Sequence, residues 1–254
     1  MKVVFHERFR EVYDNDPAAA PGRLDGIACE LARHYEFVEP SPAATEDILL
    51  CHTPAFVRRI SKKEQIYEMA LLAAGGAVKA AQIAVDGEPA FALVRPPGHH
   101  ASADSCWGFC WFNNVAIAVE KMRREAGISR VLVVDIDLHF GDGTQNIFLA
   151  NPWVEYYSLR IPDDLAKHLD GIEQCDLVAV SAGFDGHVDD WGGLLLTEDY
   201  YEIGRMIGSF AGRLCGGRVF ASLEGGYNHG VLGRNALALL AGLEGASGFA
   251  AAGR

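Results

Sequence analysis

The chain contains no apolar run approaching the roughly 20 residues of a membrane span, and its opening stretch, MKVVFHERF, is too short in apolar residues for a secretory signal. The expectation is a cytoplasmic protein with no membrane partner. Basic residues are scarce: 22 Lys and Arg stand against 34 Asp and Glu, a formal charge of −12. A nucleic-acid surface must neutralise phosphates with Lys and Arg, so no nucleic-acid partner is expected, whereas a cationic substrate such as a lysine-bearing peptide or a polyamine is favoured by the field. Internal repeats, low-complexity tracts and linkers are also missing, and residues 1–254 read as one domain with a single sizeable core. The six cysteines, Cys29, Cys51, Cys106, Cys110, Cys175 and Cys215, are scattered in apolar surroundings rather than spaced as a disulfide framework. Cys106 and Cys110 lack the second pair that a four-ligand zinc ribbon requires, and read as core or pocket-lining thiols. Nothing in the sequence specifies whether the chain forms homo-oligomers.

What is present is a repeated plan. Four segments, AFALVRPPGHH, RVLVVDIDLHFGDG, CDLVAVSAGFDGH and GRVFASLEGGYN, each begin as a short apolar, β-branched run and end abruptly in Gly, Asp or His. Each reads as a buried parallel strand that opens into a polar loop. Helical patterns lie between them, at Ile66 to Val85, where Met69, Leu71, Leu72 and Ala73 crowd one side, and at Asn114 to Glu125. The alternation predicts a three-layer α/β/α fold with a central, mostly parallel sheet. In such sheets ligands bind beyond the carboxyl ends of the strands, where these polar loops collect. The Ala/Gly-rich end, Ala246 to Arg254, reads as a frayed tail without function.

Asp135, Asp137 and His139 alternate with Ile136 and Leu138, so period two places the three polar groups on one side of the chain as it leaves a buried strand. Charged groups beside a core need partners, and a metal ion is the simplest one. A calcium loop of the EF-hand type is disfavoured, because it needs Gly where Phe140 stands and Glu where Asn146 stands. Asp185, at a third strand end, supplies a third donor; two oxygens and one nitrogen leave a coordination position open, as at a catalytic zinc. Iron(II) suits the same donors. His99 and His100 follow a stiff Pro-Pro-Gly turn, and Asp135 and Asp142 are placed to accept from their imidazoles, fixing the tautomer as a general base requires. Tyr227, after Gly225 and Gly226, reads either as a packed aromatic or as a phenol donating to a developing oxyanion. Glu224 reads as a cap or an ion-pair partner.

Taken together, RPPGHHA, GFCWFNN, VLVVDIDLHFGDG, SAGFDGHVDD and LEGGYN, in this order across residues 95 to 228, resemble the histone deacetylase and acetylpolyamine amidohydrolase superfamily. The Pro21-Gly-Arg23-Leu and Cys51-His-Thr-Pro segments extend the likeness upstream. The resemblance implies that Asp137, His139 and Asp185 bind zinc, that His100 is the general base with Asp142 as its partner, that His99, partnered by Asp135, acts mainly through its charge, and that Tyr227 polarises the substrate carbonyl. It further implies that Arg23 guards an inner acetate channel, that Phe109 walls an acyl-lysine tunnel, that the Gly108 carbonyl meets the substrate amide, and that potassium sits near Asp135 and Ser158. The substrate implied is an acyl-lysine or another acylated amine.

Three departures bear on that substrate. After Arg160 the chain turns at once into a helical pattern, Asp164 to Glu173, where relatives carry a long loop with a second tunnel aromatic, and between Ile60 and Glu68 a substrate-orienting Asp is missing. Where polyamine-specific relatives place a gating Glu, this chain has Trp191-Gly192, with Asp189, Asp190, Glu7 or Glu11 as candidate substitutes. Hydrolysis of an N-acyl amide is the leading reading. The alternatives are a non-catalytic metal-containing module that binds acylated partners, and an acetylpolyamine deacetylase; a two-manganese ureohydrolase would need a second set of ligands.

Overall fold

The computed structural model describes residues 1–245, so the tail from Ala246 lies outside the described residues. The first part of the chain forms β1 (Lys2–Val4), α1 (Asp25–Leu31), β2 (Glu36–Val38), α2 (Thr45–Ile48), α3 (Pro54–Ile60), α4 (Glu64–Val85) and β3 (Ala90–Ala92). There follow α5 (Asn114–Ala126), β4 (Val131–Asp135), α6 (Asp142–Phe148), β5 (Val154–Ser158), α7 (Pro162–Asp170), β6 (Leu177–Ala182), α8 (Thr197–Cys215), β7 (Val219–Leu223) and α9 (His229–Leu243).

The strands make one sheet in the order β2-β1-β3-β7-β6-β4-β5, and every pairing is parallel. The expectation of a mostly parallel sheet is therefore met in its strictest form. The four strands read from the sequence are the contiguous run β3-β7-β6-β4. Their register levels the carboxyl ends: Ala92 pairs with Ser222, Ser181 with both Ser222 and Asp135, and Ala182 with Leu223. Four loops distant in sequence thus leave the sheet side by side.

Apolar residues fill these strands because both sheet faces are covered. Helices α4 and α5 pack together over β1, β3, β7 and β6, while α1, α8 and α9 form the other helical layer. Helix α4 is the predicted helix extended by two residues at its start; Met69, Leu72 and Ala73 are buried, but Leu71 is only half-buried. By length and composition this 22-residue helix is apolar enough to cross a membrane, which corrects the expectation that no stretch approaches that limit. Its apolarity has a different cause here. It lies against the sheet and α5, and small residues line its buried side. Helix α5 starts as expected, with the Asn113 side chain accepting from the Ala116 N–H, and ends at Gly127 in the left-handed conformation.

The loop that carries the site's aromatic residues hangs on one buried histidine. His52 Nδ1 lies 2.9 Å from the Ser102 carbonyl and its Nε2 accepts the Asn113 N–H at 2.9 Å, a pair of contacts that only the neutral ring with the proton on Nδ1 satisfies. Burial lowers its pKa from 6.5 to about 4. The unfolded chain takes up a proton below its ordinary value while the folded one does not, so the stability contributed by the neutral ring is complete above pH 6.5 and is lost as pH falls toward about 4. Urea unfolding at pH 7 and pH 5 should show ~2 kcal/mol of loss from this residue. A His52→Gln variant should have a correspondingly flatter dependence; equal slopes in the two proteins would show that His52 is not the group responsible.

Candidate metal centre and active site

Beyond β4 the chain runs through Asp137 and His139; beyond β6 it reaches Asp185. One donor atom from each of the three lies within 4.8 Å of the other two. The carboxylates are fixed from behind: Asp137 Oδ1 accepts the His139 N–H at 2.9 Å, Asp137 Oδ2 accepts the Gly225 N–H at 2.8 Å, and Asp185 Oδ1 accepts the Leu138 N–H at 3.0 Å. Gly225 is required there, since a Cβ would stand 2.5 Å from Asp137 Oδ2 and 2.9 Å from Asp185 Oδ2. Both carboxylates are buried while the His139 side chain is 39% exposed, so the cluster opens on the imidazole side.

The donors fit a divalent cation. Asp185 Oδ2 is buried without a hydrogen-bond partner, although it lies 2.9 Å from His139 Nδ1. Burial and the neighbouring Asp137 push the Asp185 carboxyl up to about 7. Burial alone would also raise Asp137, but His99 and the hydrogen bonds from His139 outweigh it and hold that carboxyl low. Two like charges in contact, with one oxygen unsatisfied, are what a cation at this point relieves. Two carboxylates and one imidazole suit zinc and also iron(II).

The two histidines stand beside this cluster, each with its own carboxylate, as the sequence suggested. His99 Nδ1 is 3.1 Å from Asp135 Oδ2, and His100 Nδ1 is 2.7 Å from Asp142 Oδ1. Their environments drive them apart. Burial disfavours the His99 cation, but Asp137 and Asp135 outweigh it and raise its pKa well above the ordinary range. His100 is lowered by burial and by the neighbouring His99. The two imidazoles are thus shifted in opposite directions, with ring centroids 4.0 Å apart.

Tyr227 is half-buried against this group. Asp190 Oδ2 accepts the Tyr227 and Asn228 N–H groups at 2.8 and 2.7 Å, Trp191 stacks on the phenol ring at 4.0 Å, and the Arg23 guanidinium lies 5.3 Å from the ring centroid on an edge that Arg23 also ties to the Glu224 and Gly226 carbonyls. Burial pushes the phenol far up, which keeps it a neutral donor. Phe109 meets both Tyr227 and Trp191 edge-on, at 5.9 and 6.4 Å. It and Gly108 both adopt left-handed backbone, and a Cβ on Gly108 would collide with the His100 ring.

Several expectations change. Glu224 is neither a cap nor an ion-pair partner: it is fully buried, its Oε2 accepts the Gly98 and His99 N–H groups at 2.7 and 3.1 Å, and so it braces the tandem-histidine turn from below. Glu224, His99 and Cys110 form a second group with metal-ligand spacing, which sequence reading did not find. Burial and the Glu224 carboxylate push the Cys110 thiol well up, and the other two members are already engaged, Glu224 Oε2 by the Gly98 and His99 N–H groups and His99 Nδ1 by Asp135. The candidate gates are engaged elsewhere: Asp190 holds the Tyr227 turn, Asp189 pairs with Arg234, Glu11 with Arg8 and Glu7 with Arg10. The helix expected at Asp164 to Glu173 is α7, which starts earlier and ends at Asp170. Only Ser61, Lys62 and Lys63 separate α3 from α4, so no Asp stands between them. Two half-exposed indoles stand against the site, Trp107 over the His100 ring and Trp191 over the Tyr227 ring.

Tyr156, on β5, was also missed. Its hydroxyl donates to Asp135 Oδ2 at 2.9 Å, the oxygen that faces His99, and accepts the Gly141 N–H at 3.0 Å. Ser158, two residues on, pairs in register with Asp135.

The histone deacetylase domain matches residues 18–161 and 172–243. This chain belongs to the histone deacetylase family. Hydrolytic deacetylation is the chemistry of that family, and zinc its usual metal. A probable deacetylase of Archaeoglobus fulgidus is 30% identical over 311 residues, covering 96% of this chain and 86% of that protein. One of Methanothermobacter thermautotrophicus is 33% identical over 266 residues, covering 82% of this chain and 79% of that protein. The crystal structure of the HDA15 HD domain superposes with a TM-score of 0.84 at 27% identity, covering 96% of this chain and 91% of that one. The match to the Archaeoglobus protein is longer than this chain's 254 residues, so that relative carries segments this chain lacks, and the domain match skips 162–171, the stretch that here forms α7.

Zinc titrated into metal-free protein is expected to raise Tm, with ~2.7 kcal/mol of stabilisation at a free concentration 100 times Kd. Asp185→Asn should weaken or abolish the rise, and an undiminished rise in that variant would place the ion elsewhere.

Proposed function

We propose that the chain hydrolyses an N-acyl amide, an acyl-lysine or other acylated amine, with zinc held by Asp137, His139 and Asp185. The observation that carries this reading is the juxtaposition of a three-donor cluster with two histidines that each have a private carboxylate and opposite pKa shifts. Zinc at these donors supplies a Lewis acid and lowers the pKa of water; iron(II) fits the same set. His100, neutral and with Nδ1 committed to Asp142, has Nε2 free to accept the proton of the attacking water and to pass it to the departing amine nitrogen. His99, charged beside Asp135, contributes a fixed positive field. The Tyr227 hydroxyl donates to the carbonyl oxygen as negative charge develops on it. Arg23 holds the Tyr227 turn from beneath, Phe109 lines one side of the acyl-amine path, and the Gly108 carbonyl is the acceptor for a substrate amide. Potassium near Asp135 and Ser158 is proposed from the family likeness.

Zinc-loaded protein should release amine and carboxylate from at least one member of a panel of acyl-lysine peptides, acylpolyamines and small N-acyl amines. Tight binding without turnover across the panel would instead favour the non-catalytic module. In Tyr227→Phe, kcat should fall ~10²-fold or more with KM little changed, the size expected for loss of one oxyanion donor. Full activity in that variant would remove the hydroxyl from the mechanism.

A further inference from the structure

The two histidine–carboxylate pairs are protected in different ways. His99 and Asp135 are buried outright, and Asp135 is held by the Tyr156 hydroxyl and the Asp137 N–H. Asp142, in contrast, has a 37% exposed side chain at the start of α6, where rotation about its side-chain bonds would turn the carboxylate into water and away from His100. One residue opposes this. The Trp107 Nε1–H points at both Asp142 oxygens, at 2.9 Å from Oδ2 and 3.1 Å from Oδ1, and the Trp107 indole lies over the His100 ring at 3.8 Å between centroids and 33° between planes. Trp107 therefore touches both members of the pair and closes a triangle with the 2.7 Å His100–Asp142 contact.

A half-exposed tryptophan is easily explained as an incidental rim residue, and its area alone would carry no argument. Three features argue otherwise. A hydrogen bond to a carboxylate is stronger than one between neutral groups, and an indole has a single N–H, here given to Asp142. The indole face excludes water from one side of a contact whose strength depends on a low local dielectric. The turn that presents Trp107 is itself constrained: the Cys110 N–H closes onto the Trp107 carbonyl at 3.0 Å, and Phe109 within it is the single described non-glycine residue with positive φ.

We propose that Trp107 is a positioning residue for the His100–Asp142 pair, holding the carboxylate in line with Nδ1 and covering the imidazole at the open mouth. This rests on the deacylase reading for its kinetic consequence but not for its geometry, and the two can fail separately. Trp107→Phe keeps an aromatic face and removes the N–H; Trp107→Leu removes both. With zinc content and Tm matched to wild type, Trp107→Phe should lower kcat ~10-fold, in the range seen when a group supporting a metal-site residue is removed, and leave KM within about two-fold. Trp107→Leu should fall further, so that the aromatic variant is a partial rescue. A kcat within about two-fold of wild type in Trp107→Phe, or a loss confined to KM, overturns the assignment. The second readout needs no turnover. The chain has four tryptophans, so nitrogen-15 spectra hold four indole N–H signals, and the one lost in Trp107→Phe identifies itself. That signal should move in Asp142→Asn, and an unmoved signal also overturns the proposal. If wild type is inactive on every substrate, the deacylase reading is what fails, and the indole signal still decides whether Trp107 holds Asp142.

Discussion

The site is organised around two carboxylates that are forced together. Asp137 and Asp185 come from strands β4 and β6, which are neighbours in the sheet, and backbone N–H groups from His139, Leu138 and Gly225 hold both against the same point. In a buried setting this costs free energy, visible in the raised Asp185 carboxyl and its unpartnered oxygen. The compensation comes from imidazoles on two sides: His99 beside Asp137, and His139, whose Nδ1 lies 3.3 Å from Asp137 Oδ1 and 2.9 Å from Asp185 Oδ2. The raised pKa of His99 follows from Asp137 and Asp135 outweighing its burial, and the lowered pKa of His100 from its own burial and then from the neighbouring His99.

A second layer keeps this arrangement from relaxing. Glu224 holds the tandem-histidine turn by its backbone, Tyr156 bridges Asp135 to the Gly141 loop, and Asp190 carries the Tyr227 turn. Each uses a polar side chain to fix a loop rather than to meet a substrate. Helix α7, the stretch that the family match skips, lies outside this layer. At the mouth Trp191 stacks on the Tyr227 ring.

The chemistry-bearing residues were legible because they follow buried strands at fixed spacing. Asp135, Asp137 and His139 follow one buried strand directly, although the strand ends at Asp135 and the chain bends through 137–139, and the Gly- and Pro-rich punctuation of the four loops announced a common edge. Three strands were not read: β1 and β2 lack the Pro-Pro-Gly-His-His loop that marks the equally short β3, and β5 is a half-exposed edge strand whose Val-Glu-Tyr-Tyr-Ser lacks an apolar run. Tyr156 was hidden with it, although alternation along β5 from Ser158 would have placed Tyr156 on the side that faces Asp135.

By itself the sequence indicated the parallel α/β architecture and a candidate set of metal donors, because these depend on short apolar runs and on polar loops that leave adjacent strands, while the two histidine–carboxylate pairings came from the family likeness. Only the tertiary structure decided which groups support them. Trp107 lies 35 residues from Asp142, Tyr156 lies 21 from Asp135, and Glu224 lies 125 from His99, and no local pattern encodes which distant side chain will fill the remaining hydrogen-bonding position of a buried carboxylate or turn. Such contacts exist only once strand order and register have brought the loops together, as does the electrostatic contrast that shifts the two imidazoles in opposite directions.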